Sequence, residues 1–166
     1  MDSKVIHLTD GFTGTLGLLG VRSLLPGLDT AGHFSLVEHP MPPRALGAPL
    51  HRHSREDEVS IVLEGEVGAM LGDDVMVGRP GEVILKPRAQ WHAFWNAGDA
   101  PARLIEIISP AGFEHYFREL IELGGPSNAS PATLRALYEK YGLEMDRSSV
   151  PMLTERFGLR LAPVAG

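Results

Sequence analysis

Residues 47–65 read GAPLHRHSREDEVSIVLEG, and this stretch decides the predicted fold. It begins with an extended segment that carries His51 and His53 in an H-x-H pattern. Successive side chains of a β-strand point to opposite faces, so both imidazoles lie on one face and Arg52 lies on the other. The pattern therefore predicts two imidazole rings close together on one face of a strand.

A carboxylate and a third imidazole extend this pair to a candidate ligand set. Glu58 follows a short acidic turn, and His92 lies in a second stretch, residues 81–96, which reads GEVILKPRAQWHAFWN. Taken one at a time, these features are typical of a surface histidine pair, a solvated acidic turn and a histidine packed in a core. Together, three imidazole nitrogens and one carboxylate suit a divalent transition metal: iron, manganese, nickel, copper, cobalt or zinc.

The two stretches resemble the two sequence motifs of the cupin family. The first motif is a glycine, H-x-H, a glutamate and a second glycine, and it is matched here by Gly47, His51, His53, Glu58 and Gly65. The second motif places a glycine, a proline, a histidine and an asparagine at set intervals, and it is matched by Gly81, Pro87, His92 and Asn96.

Two positions depart from the family pattern. Three residues separate Gly47 from His51, where the family has five, and Ala89 stands where the family has a glycine. Because alanine tolerates a positive φ poorly, we interpret Ala89 to mean that this turn does not need one. Neither departure falls on a candidate ligand.

The resemblance implies a mostly β protein, a cupin jelly-roll β-barrel with a C-terminal helical extension. It also implies that one divalent transition metal is held by His51, His53, Glu58 and His92. The glycines, Pro87 and Asn96 are turn residues in this interpretation and carry no chemistry.

Turn residues divide the first two thirds of the chain into short segments. The 19 glycines and 13 prolines are spread rather than clustered in a linker, which is typical of an all-β sandwich or barrel. We predict one domain with an N-terminal arm or edge strands over residues 1–31, the barrel over 32–110 and packed helices over 111–166. The predicted strands are Phe34–His39, Leu50–His53, Glu58–Leu63, Val67–Leu71, Val75–Val77, Val83–Lys86, His92–Asn96 and Arg103–Ser109.

Apolar residues recur at helical spacing after residue 110. A first helix is predicted around Phe113–Ile121, and a second one begins at Pro131 behind a Ser130 N-cap and ends before Gly142. A short third helix is predicted after Pro151. Each apolar stripe needs a surface to cover, and we expect that surface to be the outside of a sheet.

Composition excludes several classes of function. The chain has no cysteine, so disulfides, thiolate metal sites and a thiol nucleophile are excluded. Its net charge of −6 argues against a broad basic surface for nucleic acid. The first residues, MDSK, lack the basic start and apolar run of a secretory signal. We therefore expect a cytoplasmic protein with neither a nucleic-acid nor a membrane partner.

The predicted centre suggests a reaction type. Four protein ligands on an octahedral ion leave two positions open, and a local charge of about +1 favours an anionic oxygen donor. Together with an apolar lining, these features favour an oxidoreductase, a dioxygenase of a small aromatic or enolisable compound. The helical tail resembles that of small cupins, some of them quercetin-dioxygenase-like. Glu58 would then also act catalytically as a proton acceptor. Strand alternation places Ser60 and Val62 beside Glu58 and Phe94 beside His92, which predicts a mostly apolar substrate pocket.

Other interpretations of the same residues remain open. A metal-dependent isomerase, lyase or hydrolase would use the same four ligands without oxygen. A non-catalytic cupin would bind a small molecule without turnover. The expected partners are a small-molecule substrate and a second copy of the chain, since unpaired sheet edges need cover.

Overall fold

The computed structural model describes residues 5–7, 9 and 11–161, which form two antiparallel β-sheets and three α-helices. The six-stranded sheet has the order β1-β2-β3-β10-β5-β8, and the five-stranded sheet has the order β11-β4-β9-β6-β7. In chain order the strands are β1 (Thr13–Leu16), β2 (Leu19–Leu25), β3 (Ser35–Met41), β4 (Leu46–His53), β5 (Asp57–Glu64), β6 (Val67–Leu71), β7 (Asp74–Gly78), β8 (Val83–Lys86), β9 (His92–Asn96), β10 (Ala102–Ser109) and β11 (Leu143–Asp146). The prediction of a mostly β protein with C-terminal helices is confirmed, and its eight predicted strands are present.

Side-chain alternation along the strands separates the inside of the barrel from the outside. In β10, every second residue from Ala102 to Ile108 is buried, and β10 pairs with β3 on one side and β5 on the other. Along β10, the inward side chains are in order the apolar Leu104, the acidic Glu106 and the apolar Ile108. A layer of polar side chains therefore lies inside the barrel between two apolar layers.

The first apolar layer is formed by one buried cluster at the Leu104 end of the barrel. It contains Met41, Val62, Ile84, Phe94 and Leu104 together with their apolar neighbours. Burying such side chains stabilises the fold by roughly 1.5–3 kcal/mol for each of the larger ones. This layer closes one side of the polar interior.

The second apolar layer is formed by the C-terminal helices α1 (Glu114–Glu122) and α2 (Pro131–Tyr141). They pack with Val37 and Ile108, which face inward, so the two helices cover the end of the barrel. The expectation that they cover the outside of a sheet is wrong, because the inward residues of this end are themselves apolar and need a partner. The third helix, α3 (Val150–Phe157), does lie on an outer face, where Phe157 stacks on Trp95 at 4.2 Å.

The ends of α2 follow the predicted capping signals. The Ser130 side chain accepts a hydrogen bond from the Thr133 amide, Pro131 occupies the first turn, and Gly142 ends the helix with φ +62°. These contacts satisfy backbone groups that a helix end leaves unpaired.

Three strands and one turn differ from what the sequence indicates. The strands β1, β2 and β11 were not predicted individually; β1 and β2 extend the six-stranded sheet, and β11 pairs with β4. Ala89 has φ +63°, so the interpretation that its turn needs no positive φ is wrong. Alanine adopts this left-handed conformation at a conformational cost. Within the described residues, none of the helices is long and apolar enough to cross a membrane.

Candidate metal centre

Three strands bring the four candidate ligands to one place. His51 and His53 end β4, Glu58 is near the start of β5, and His92 is the first residue of β9. An uninterrupted ladder from Leu46 and Trp95 would put Pro49 opposite His92, but two register shifts in β4 put His51 there instead. Such bulges re-aim side chains next to functional sites, and here they place imidazole against imidazole.

The ligand atoms of His51, His53, Glu58 and His92 all lie within 4.8 Å of one another. His53 Nε2 is 3.4 Å from one Glu58 oxygen, and His92 Nε2 is 3.2 Å from the other. Each of the four side chains is at most 5% exposed. Ligands bound at about 2.0–2.2 Å to one ion stand roughly 3 Å apart when adjacent, so this spacing fits a metal.

Hydrogen bonds fix how two of the imidazoles point. Nδ1 of His51 donates to the Pro49 carbonyl at 2.8 Å, and Nδ1 of His92 donates to the Gln90 carbonyl at 3.0 Å. The Nε2 atom of each ring is therefore the one with a free lone pair. Nε2 of His92 and Nε2 of His53 are buried and have no hydrogen-bond partner. A divalent ion would satisfy these atoms, so the donor set fits a metal.

Two of the histidines, His51 and His53, are in the protonation state that metal binding requires. Burial lowers the pKa of His51 well below its usual range, and the neighbouring imidazoles lower it further. Burial likewise lowers the pKa of His53 to about 4. Both rings are neutral near pH 7, and neutral imidazole is the form that binds metal ions.

A buried lysine next to Glu58 was missed by the sequence analysis. Lys86 Nζ lies 3.0 Å from a Glu58 oxygen and 2.7 Å from a Glu106 oxygen, and its side chain is fully buried. Ser60 Oγ donates to the same Glu106 carboxylate at 3.0–3.1 Å. The only signal in the sequence is alternation, since Lys86 shares the inward face of β8 with Ile84.

The lysine keeps Glu58 ionised. Burial alone would raise the pKa of Glu58, but Lys86, His53 and His92 together bring it well below its usual range. Burial raises the pKa of Glu106 to about 7, although Lys86 opposes this. Burial also acts to lower the pKa of Lys86, but Glu106 and Glu58 outweigh it and raise that pKa. Glu58 is therefore a charged carboxylate beside the neutral imidazoles of His51 and His53, which is a donor set that suits a divalent metal.

The three residues predicted to line a substrate pocket all lie inside the barrel. Ser60 is engaged with Glu106, Val62 belongs to the apolar layer, and the Phe94 ring lies 4.9 Å from Lys86 Nζ. Phe113, at the start of α1, contacts His53 edge to face at 4.3 Å and covers it. The pocket role of Ser60, Val62 and Phe94 stays a prediction.

A surface cavity of about 620 Å³ lies apart from this centre. It is lined by side chains of α2 and β11 together with Ser54 and Trp91. None of the four candidate ligands lines it, so it is not the pocket that the sequence predicts.

Comparison with known proteins places this geometry in a family. Residues 38–108 match the family model described as "Cupin domain". A germin-like protein 2-4 of Oryza sativa subsp. japonica is 31% identical over 145 residues, which are 78% of this chain and 62% of that protein. The chain spans between 38% and 62% of the length of the curated relatives that it matches.

Solved structures share the fold. KdgF from Halomonas sp. superposes with a TM-score of 0.60 at 14% identity, covering 69% of this chain and 99% of that one. The polyketide cyclase RemF from Streptomyces resistomycificus has a TM-score of 0.54 at 29% identity, covering 66% of this chain and 80% of RemF. The similarity to RemF therefore includes the amino-acid sequence as well as the fold.

Proposed function

This chain belongs to the cupin superfamily, and on that premise we propose that it is a metal-dependent enzyme. The Nε2 atoms of His51, His53 and His92 and a Glu58 oxygen bind one divalent transition metal: iron, manganese, nickel, copper, cobalt or zinc. The observation that carries the proposal is the pair of buried Nε2 atoms without a partner, both beside Glu58.

We infer that the enzyme is a dioxygenase acting on a small aromatic or enolisable compound. A bound metal supplies Lewis acidity and, if it is redox-active, a site for dioxygen beside the substrate. Lys86 adds positive charge next to the ligands, which favours a substrate that binds as an enolate, phenolate or carboxylate. The apolar rings and methyls of Phe94 and Val62 suit an aromatic or hydrophobic body.

Glu58 is the proposed proton acceptor. Glu58 would accept the substrate proton on a carboxylate oxygen, and Lys86 Nζ, 3.0 Å from that carboxylate, would hold the group in place. Phe113 covers His53 and keeps bulk water away from the reacting groups.

The test is oxygen uptake by protein reconstituted with each of the six metals, against a panel of flavonols and β-diketones. We expect uptake with at least one redox-active metal and both atoms of labelled O₂ in the product. His51→Ala should abolish it, while His115→Ala, which removes a half-exposed histidine on α1, should not. Absence of uptake with every metal and substrate would overturn the dioxygenase proposal.

A second candidate is a non-oxidative metal-dependent reaction: cyclisation, isomerisation or a lyase reaction. The observation that favours it is the 29% identity with the polyketide cyclase RemF. The same panel, incubated with the zinc protein without oxygen, separates the two candidates. Product formed anaerobically supports this second reaction, and strict dependence on oxygen supports the first.

We also propose that two copies pair through the outer edges of their barrels. The edge strands β7 and β8 expose Val75, Met76, Val77, Val83 and Leu85, and the last two are each 58% exposed. Antiparallel pairing of β7 about a twofold axis would set its acidic end, Asp74, against the basic residue after its other end, Arg79. Light scattering should show that the parent protein is a dimer and that the Val77→Asp variant is a monomer. The control variant Leu28→Asp should remain a dimer. A monomeric parent protein would contradict the proposed pairing.

A further inference from the structure

The three imidazoles of the centre differ in how their second nitrogen is held. Nδ1 of His51 and Nδ1 of His92 each donate to a backbone carbonyl two residues earlier in the chain. Nδ1 of His53 is buried and has no hydrogen-bond partner. A ring with one unanchored nitrogen can rotate or change tautomer, which weakens it as a ligand.

One carboxylate faces that nitrogen. Glu56 Oε2 lies 3.8 Å from His53 Nδ1, and it too is buried without a hydrogen-bond partner. The side chains are 6% and 1% exposed, so solvent does not satisfy either group. A hydrogen bond needs a separation of about 2.7–3.2 Å, so an approach of roughly 1 Å would pair the two atoms.

The inward position of Glu56 contrasts with that of its neighbour. Asp57 is partly exposed and forms an ion pair with Arg88 at 2.6 Å. A carboxylate oxygen turned into the protein without a partner, such as Glu56 Oε2, costs free energy. That cost is offset only when a donor reaches it, and His53 Nδ1 is the donor that faces it.

We propose that Glu56 is a positioning residue for His53, accepting its Nδ1–H so that Nε2 points at the metal. This inference rests on the proposed metal centre. Metal binding to Nε2 makes Nδ1–H a better donor, and the carboxylate in turn makes Nε2 a stronger ligand. Glu56 thus does for His53 what the carbonyls of Pro49 and Gln90 do for the other two rings.

The test compares zinc affinity, measured by competition with a chelator, in the parent protein and in three variants. Glu56→Ala should bind zinc about 10–100-fold more weakly, because second contacts of metal-bound histidines typically contribute that much. Glu56→Gln keeps an oxygen acceptor and should lose less. Glu144→Ala is the matched control, since Glu144 is an exposed acid on the strand beside β4 and pairs with Arg52.

A second readout separates positioning from a purely structural role. In the zinc-loaded parent protein, NMR should show a slowly exchanging Nδ1–H of His53, and this signal should be lost in Glu56→Ala. The thermal midpoint of the metal-free protein should not fall in Glu56→Gln, because glutamine keeps one oxygen acceptor and Oε2 has no hydrogen-bond partner to lose there.

The outcomes distinguish the two proposals. A parent protein that binds no zinc overturns the metal centre itself. A parent protein that binds zinc, with Glu56→Ala equal to it in affinity and in the His53 signal, overturns the positioning role alone. A metal-free Glu56→Gln protein that melts earlier, with zinc affinity unchanged, assigns Glu56 to folding and also overturns it.

Discussion

Lys86 sets the charge balance in the barrel interior. Its ammonium group is fully buried and contacts the carboxylates of Glu58 and Glu106. Without it, two acidic groups would share an interior from which water is largely excluded, and one of them would have to take up a proton. With it, Glu58 stays ionised and is available as a ligand.

Removing the lysine should be strongly destabilising. Lys86→Met leaves the two carboxylates buried without their cation, which costs about 3–5 kcal/mol. Urea unfolding of the metal-free protein measures the loss. Lys140→Met removes an exposed lysine that pairs with Glu119 and should change stability by less than about 1 kcal/mol. If Lys86→Met and the parent protein have the same free energy of unfolding, the contacts of Lys86 with Glu58 and Glu106 do not stabilise the fold.

At the scale of single residues, the sequence predicted the ligand cluster but not its surroundings. His51, His53, Glu58 and His92 were identifiable because their types and spacing together are rare. Lys86 and Glu106 were not identifiable, because each lies in a mostly apolar strand. Alternation shows that they point inward only after the partner strands are known.

At the scale of elements, the pairing of β4 with β9 determines which residues meet. Because of two register shifts in β4, His51 lies opposite His92, whereas a regular ladder would place Pro49 there. Gly47 lies between the residues of the first shift, and its missing side chain leaves room for Phe94. A Cβ at position 47 would stand 2.5 Å from a Phe94 ring carbon.

Gly47→Ala should therefore push Phe94 out of its place beside Lys86. We expect a loss of about 1–3 kcal/mol in the free energy of unfolding, the usual cost of overpacking a core. The matched control is Gly98→Ala, because a Cβ there meets nothing nearer than 3.6 Å. If both variants have the same free energy of unfolding, β4 tolerates a side chain at position 47 and the packing argument is wrong.

The elements that sequence analysis missed are those without a local signal. β11 has four residues and directly follows Gly142, so its pairing with β4 depends on contacts that are distant in sequence. The placement of α1 and α2 over the barrel end depends on Val37 and Ile108 facing inward, which no helical periodicity reveals. The helix α2, by contrast, can be predicted from its end residues Ser130, Pro131 and Gly142 alone.

At the scale of the whole molecule, buried histidines should make the metal-free protein sensitive to acid. Burial lowers the pKa of His39 and of His53 to about 4, and it lowers that of His51 well below its usual range, against about 6.5 in an unfolded chain. Between these values the unfolded state binds more protons, so stability is lost as the pH falls below about 6.5. Glu106, whose pKa is raised to about 7, and Glu56, whose pKa burial also raises, act in the opposite direction, but they are two groups against three.

We expect the free energy of unfolding to fall by on the order of 3 kcal/mol between pH 6.5 and pH 5 in the presence of a chelator. Urea titrations at several pH values measure it. His39→Gln removes one of the three imidazoles without touching a candidate ligand, so its pH slope should be shallower. A stability that does not change over this range would show that the three histidines are not held neutral by burial.

The most direct test of the metal centre is anomalous diffraction from crystals of the protein reconstituted with cobalt or zinc, recorded on both sides of the metal's absorption edge. The account predicts one strong peak inside the barrel, about 2.0–2.2 Å from Nε2 of each of the three histidines and from a Glu58 oxygen. A peak elsewhere, or none at full metal loading, would contradict it.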